Sequence, residues 1–198
     1  AELAGLKPVI IDVEPYAARI SIDSIISQLP AGGEGLILAV FDIGQTATRL
    51  SVVYNGQTIF EREQPFGGSK LTQEIVRLYG LTVEEAELKK RTGDLPVNYT
   101  TELLHPFVEE GATELARSLQ FFFSSTPYER VDRIFLAGGA AVTPGLAEAV
   151  LQKTSVTTEI LSPFQGMEIG DSISEKQMNL DAPALLVSCG LAMRRFDQ

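Results

Sequence analysis

The sequence predicts an α/β fold built on a mixed β-sheet, and three features carry that expectation. Leu36 to Ile43 is a nearly continuous apolar run, the pattern of a strand covered on both faces. Arg49 to Tyr54 and Gln57 to Phe60 flank Asn55-Gly56, a pair that supplies the positive φ values of a two-residue hairpin turn. Further on, Arg133-Ile134-Phe135-Leu136-Ala137 leads through Gly138-Gly139 towards a helix. Strands therefore come first as a meander and then alternate with helices, which gives a mixed sheet flanked by helices.

Taken in order, Lys7 to Val13 reads as a strand-like run, and Glu14-Pro15 suits a helix start, where Pro and acidic groups are favoured. Ala17, Ile20, Ile25, Ile26 and Leu29 space a loose amphipathic helix from Tyr16 to Leu29. Pro30 to Gly35 is the clearest linker. A tight turn at Gly44-Gln45-Thr46 precedes the hairpin, and a third strand continues from Ile59 towards Phe66. Gly67-Gly68-Ser69 opens a helix over Lys70 to Tyr79, stopped by Gly80. Thr82 with Glu85 forms a capping box for a short helix that runs to Arg91 and ends at Gly93. Glu102 to Ser125 is predicted as one long helix, with Leu103, Phe107, Val108, Leu115, Leu119 and Phe122 at helical spacing. Then come a strand at Arg133 to Ala137, a helix over Gly145 to Lys153, a weaker strand at Thr157 to Leu161, and a Gly/Ser-rich loop. A final helix is predicted from Pro183 to about Arg195.

Composition narrows the function. The 198 residues carry 16 Lys+Arg against 26 Asp+Glu, a formal net charge of −10. Lys89-Lys90-Arg91 follows Glu84, Glu85 and Glu87 and is locally neutralised, so nothing resembles the basic patch a nucleic acid needs. One cysteine excludes an internal disulfide framework and fits a reducing compartment. The longest apolar run, Ala182 to Met193, falls short of the ~20 residues of a spanning helix and contains Pro183, Ser188 and Gly190. The start, Ala1-Glu2-Leu3-Ala4, lacks an initiator Met and the marks of a signal peptide, as expected of a processed or excised chain.

Three segments could carry chemistry. In Asp42-Ile43-Gly44-Gln45-Thr46-Ala47-Thr48 a buried strand ends in Asp-x-Gly, with hydroxyls following inside a hairpin. A carboxylate at a strand end can hold hydrated Mg²⁺, Gly44 lets backbone N–H groups approach phosphate oxygens, and Thr46 and Thr48 add donors. The same residues also suit a capped β-turn at a sheet edge. At Gly138-Gly139 a strand runs into paired glycines and a helix begins beyond Pro144, a turn able to lie against an adenine or a phosphate. Many ligand-free connections use Gly-Gly as well. Glu87 and Lys90, at i, i+3 on one helix, suit either a ligand contact or an ordinary solvated ion pair.

The order of these segments resembles the second half of the actin-like ATPase fold. Asp-x-Gly corresponds to that superfamily's second phosphate loop. Glu-x-x-Lys and the Gly-Gly turn correspond to the elements that enclose the nucleoside. Asp12-Val13-Glu14-Pro15 is similar to the first connecting helix, and Ala182-Pro183 to Ala192 to the second. Within the superfamily, Gln64-Pro65-Phe66-Gly67-Gly68, Ser118-Leu119-Gln120-Phe121-Phe122-Phe123 and Cys189-Gly190-Leu191-Ala192-Met193-Arg194 resemble the PilM family of type IV pilus assembly. The cell-division relative FtsA shares the order of elements but not these words.

That resemblance implies an actin-like (ribonuclease H-like) lobe with a small helical insertion subdomain. Residues 1–30 would be a remnant of the first lobe with its connecting helix. Residues 31–66 and 126–182 would form the second-lobe core, 67–125 the inserted subdomain, and 183–198 the C-terminal connecting helix. It implies ATP and Mg²⁺ as ligands. Asp42 would position Mg²⁺ and water, Glu14 would lie near that water, and Gly44, Gln45, Thr46 and Thr48 would hold phosphates. Glu87 and Lys90 would contact ribose or adenine, with Gly138 and Gly139 facing the nucleoside. The implied partners are the N-terminal cytoplasmic peptide of PilN and other pilus machinery, and the implied place is peripheral to the inner membrane. Most of the first lobe, which forms the PilN groove, would be missing.

Two departures stand against efficient hydrolysis. Gln45 and Thr46 replace glycines of the superfamily's Gly-Gly-Gly-Thr, and Arg49 stands where a second acid is usual. A true ATPase, a phosphotransferase of the same fold and an FtsA-like protein are the alternative readings. His105, the sole histidine, has no metal-binding companions, and Cys189 reads as a packed small residue. The Phe121 to Phe123 run reads as core, and an exposed phenylalanine there would be a partner-site candidate.

Overall fold

The computed structural model describes residues 2–5, 7, 11–170 and 173–194. Its centre is a five-stranded sheet in the order β3-β2-β1-β4-β5. Strands β1 (Ile37–Ile43), β2 (Thr48–Tyr54) and β3 (Gln57–Gln64) form the antiparallel meander. β4 (Arg133–Ala137) adds parallel to β1, and β5 (Thr158–Ile160) parallel to β4. The Asn55-Gly56 turn takes the expected positive φ at both residues.

Alternation along the strands divides the interior into two cores. Ile37, Ala39, Phe41 and Ile43 of β1, with Leu50, Val52, Ile134 and Leu136, face α4 (His105–Ser125) and α5 (Leu146–Thr154). Leu38, Val40, Val53, Phe135 and Ala137 face α1 (Glu14–Ile26), and Leu186 of α7 (Leu186–Met193) joins them. Between β3 and α4 lie α2 (Ser69–Tyr79) and α3 (Val83–Thr92). Thr82 caps α3 with the complete reciprocal box that its sequence predicts.

Several sequence expectations are corrected. Ile11, Asp12 and Val13 belong to no strand, and Pro8, Val9 and Ile10 of the same run lie outside the described residues. α1 ends at Ile26, before Leu29. The long helix opens with a π-helical turn, Thr100–Leu104, in which the N–H of His105 reaches back to the carbonyl of Thr100. Pro106 explains this: it lacks the N–H for an i−4 bond and crowds the carbonyl of Glu102, so the turn widens. The C-terminal helix is preceded by α6 (Glu175–Asp181) and a 3₁₀ turn, Ala182–Leu185. α6 buries no residue, which is why no apolar periodicity announced it. Arg195, the predicted helix end, lies outside the described residues.

Candidate functional site

The parallel neighbours β1 and β4 end side by side at the point where the strand order reverses, the usual location of a ligand crevice in an open α/β sheet. Asp42 is the penultimate residue of β1 and pairs with Ala137 on one side and Arg49 on the other. Its side chain shares the α1 face of the sheet with Arg49, Ser51 and Glu61, and together with Pro15, Ala18 and Arg19 of α1 these residues line a cleft of about 20 Å³. That is room for about one water. Burial, then the neighbouring Glu14, push the Asp42 carboxyl above its ordinary range, and Arg49 only partly opposes them.

Arg49 is the hub of this cleft. Its guanidinium lies 3.7 Å from Glu14 on α1 and 3.1 Å from Glu63 on β3. The sequence presents Arg49 as a missing acid, while the fold makes it a cation shared by two carboxylates. Antiparallel register is the signal that could have found it, since Arg49 pairs with both Asp42 and Glu63.

The turn after β1 is tightly self-bonded. The N–H of Gly44 donates to the Ala47 carbonyl (2.9 Å), and the carbonyls of Gly44 and Gln45 accept from Gly68 (3.0 Å) and Ser69 (2.8 Å). Gln45 and Thr46 remain exposed, whereas Thr48 is fully buried and its hydroxyl donates to the Phe66 carbonyl (2.6 Å). Of the predicted phosphate donors, the Gly44 N–H and the Thr48 hydroxyl are therefore committed to the fold. Thr48 starts β2 on its core face, so tertiary packing turns its side chain inward.

Gly138 and Gly139 also part company. Gly138 is buried with φ +88°, and a Cβ there would lie 2.4 Å from the Ile43 carbonyl oxygen and 2.5 Å from Oδ1 of Asp42. It is the close approach of two backbones that brings the β1 and β4 loops together. Gly139 is exposed and stands near Ala184 of the 3₁₀ turn.

Glu87 and Lys90 pair at 2.8 Å on α3, and Thr72 of α2 joins them: Lys90 donates to its hydroxyl at 2.7 Å, and that hydroxyl donates to Glu87. Burial alone would raise the Glu87 carboxyl, but the Lys90 and Thr72 hydrogen bonds and the Lys90 and Arg91 charges outweigh it and hold it low. Thr72 was not foreseen, because a lone threonine in a helix carries no pattern. Nor was the pair of Arg91 with Asp181 (3.2 Å), which ties α3 to the end of α6.

The donor set here is one strand-end carboxylate, Asp42, with Glu14 close enough to act on it. Among the described residues no group of three or more His, Cys, Asp or Glu is placed to hold a metal. Mg²⁺ can be held by a single carboxylate plus phosphates and waters. Here that carboxylate would be Asp42, pushed above its ordinary range by burial and sharing its cleft with Arg49.

Elsewhere, Cys189 is buried, as its context predicts, with its thiol 3.6 Å from the Pro163 carbonyl. Phe122 is fully buried, while half-exposed Phe121 lies under the Arg62 guanidinium at 4.0 Å. Among the described residues no helix is long and apolar enough to cross a membrane.

A sheet in the order β3-β2-β1-β4-β5, with a helical insertion before β4 and helices α1 and α7 together on one face, has the arrangement of an actin-like lobe. The solved structures agree. The protein of a PilM-PilN type IV pilus biogenesis complex superposes with a TM-score of 0.80 at 27% identity, covering 96% of this chain and 54% of that one. Ethanolamine utilization protein EutJ from Carboxydothermus hydrogenoformans matches with TM-score 0.63 at 21% identity, over 96% of this chain and 56% of that one. MreB 5 of Spiroplasma citri, solved bound to AMPPNP, matches with TM-score 0.61 at 16% identity, over 97% and 60%. The model of the family described as type IV pilus assembly protein PilM matches residues 1–196, and the chain belongs to that family. It spans little more than half the length of these solved relatives.

Proposed function

We propose that this chain is the second lobe of an ATP-binding, actin-like scaffold in the type IV pilus inner-membrane assembly complex. ATP would be held between this lobe and a first lobe, and would act as a conformational ligand more than as fuel. Its phosphates would meet the exposed Gln45-Thr46 turn and the Asp42–Arg49 cleft. Its nucleoside would lie between Gly139 and the Glu87/Lys90 pair. The observation that carries this reading is the meeting of the Asp42 and Gly138 loops at the ends of β1 and β4, in a chain of the PilM family. The partner would be PilN, which is named in the complex that contains the 27%-identical relative, and the segment bound would be its N-terminal cytoplasmic peptide. The protein would then work at the inner face of the membrane, coupling components of pilus biogenesis and twitching motility.

Calorimetry of the full-length protein with ATP, and then with a PilN tail peptide, tests the reading. Saturable ATP binding that weakens in Lys90→Ala, with peptide affinity that differs between ATP-bound and ATP-free protein, supports it. Rapid turnover abolished by Asp42→Asn would overturn the scaffold role and favour a true ATPase.

A further inference from the structure

A threonine inside a helix ordinarily returns its hydroxyl to the carbonyl four residues back. For Thr72 of α2 that carbonyl, of Gly68, lies 3.2 Å away, yet the hydroxyl sits closer to the Glu87 carboxylate of α3 and also accepts from Lys90 at 2.7 Å. We propose that Thr72 is a positioning residue, which holds Glu87 and Lys90 as an adjacent acceptor and donor for the vicinal hydroxyls of a ribose. The inference rests on the nucleotide-binding reading above and deepens it by naming the part of the nucleotide that the pair reads.

Three observations carry it. First, α3 buries only Ala86 of its own residues, so little apolar packing fixes where its side chains stand. Thr72 supplies that constraint from inside: it is buried, whereas Glu87 and Lys90 are half-buried and still face solvent. Second, the bonds within the triad leave capacity over. Thr72 and Lys90 both donate to one carboxylate oxygen of Glu87, Oε1, and Oε2 is spent on neither. Lys90 carries three N–H donors, and its bonds to Glu87 and Thr72 use two of them. A carboxylate oxygen beside an ammonium N–H matches a vicinal diol, in which each hydroxyl both donates and accepts. Third, α2 is anchored where the phosphates would lie. The N–H groups of Gly68 and Ser69 donate to the Gly44 and Gln45 carbonyls at 3.0 and 2.8 Å, about one helical turn before Thr72. The same helix therefore sets the spacing between the phosphate turn and the ribose pair. Two long side chains held in place before binding need not be ordered during it.

The test is calorimetry of the full-length protein with ATP and with 2′-deoxyATP, which lacks one of the two hydroxyls. The unaltered protein is expected to prefer ATP by about fivefold or more. Thr72→Val keeps the shape and removes the hydroxyl. It is expected to weaken ATP by about fivefold and 2′-deoxyATP by no more than about twofold, so that the preference largely disappears. Thr72→Ser, which keeps the hydroxyl, is expected to restore most of both affinity and preference. A thermal melt of each variant checks folding, and if the valine variant is unstable, Thr72→Ala removes the same hydroxyl and carries the same expectation. Unchanged binding in Thr72→Val, or equal weakening of the two nucleotides, would mark a purely structural residue and overturn the inference. So would equal binding of ATP and 2′-deoxyATP by the unaltered protein, or a serine variant that behaves as the valine variant does. All of these outcomes leave the nucleotide reading intact. Failure of the unaltered protein to bind ATP at all would remove that reading, and this inference with it.

Discussion

Towards α4 and α5 the sheet presents Phe41, Ile43, Leu50 and Ile134, and the helices answer with Phe107, Leu115, Leu119 and Phe122, large side chains that fill a deep core. Towards α1 and α7 the sheet residues are similar, but the two helices meet each other differently. They approach through Ala17, Ser21 and Gly190, so closely that a Cβ on Gly190 would lie 1.8 Å from the Ala17 carbonyl oxygen, while the Ser21 hydroxyl donates to the Leu186 carbonyl at 2.7 Å. One face is a store of apolar area. The other is a backbone-to-backbone crossing with no room for a methyl group.

The same type of change should therefore have unequal effects on the two faces. Phe122→Ala, which empties a fully buried position in the larger core, is expected to cost about 3–5 kcal/mol in a urea melt. A cost below that of an ordinary surface change would break the description of this face as the main core. Gly190→Ala is expected to cost about 3 kcal/mol, because the added methyl meets backbone that cannot yield. Gly111→Ala on α4 is its control. Its Cβ would sit 2.9 Å from a Phe66 ring atom and 3.1 Å from a Leu146 methyl. Those side chains can shift, and alanine's helix preference of about 1 kcal/mol offsets the crowding. Equal losses at Gly111 and Gly190 would erase the proposed difference between the faces.

Smaller effects sharpen the comparison at the rims. Thr82→Ala removes the α3 cap and is expected to cost about 1 kcal/mol, read from the same melts. Asp42 and Glu87 should then respond to pH with opposite signs. Asp42 has a folded pKa raised above its ordinary 3.8, so its favourable contribution is present below that value and is lost as pH rises through the folded pKa. Asp42→Asn should accordingly raise the melting temperature at pH 7 and give no gain below pH 3.8. Glu87 has a folded pKa held below its ordinary 4.5, so it stabilises above that value and ceases to as pH falls through the folded pKa. Glu87→Gln should lower the melting temperature at pH 7, with the loss fading in acid. Parallel pH profiles for the two variants would contradict the environments assigned to them.

Much of the frame was legible because it rests on local rules. The apolar run of β1, the Asn55-Gly56 turn and the Thr82–Glu85 box each involve residues within a few positions of one another. α6 was missed for a related reason: with no buried face it has no periodicity, and it is capped only by Ser174. The site was legible in its parts and not in its assembly. Asp42, Glu87 and Lys90 stand out by type and spacing, yet nothing near Thr48 in the chain says that its hydroxyl turns inward to Phe66, and nothing near Lys90 points to Thr72.

By itself, then, the sequence determined the α/β class, the order of strands and helices, and which segments could approach a phosphate, since pattern, capping and turn chemistry act over short distances. Tertiary structure alone decided that Gly138 backs onto Asp42, that Gly190 admits α1 to van der Waals contact, and that Arg49 sits between Glu14 and Glu63. Those outcomes depend on strand register and helix crossing, which bring together groups far apart in the chain and only then set their burial and charge.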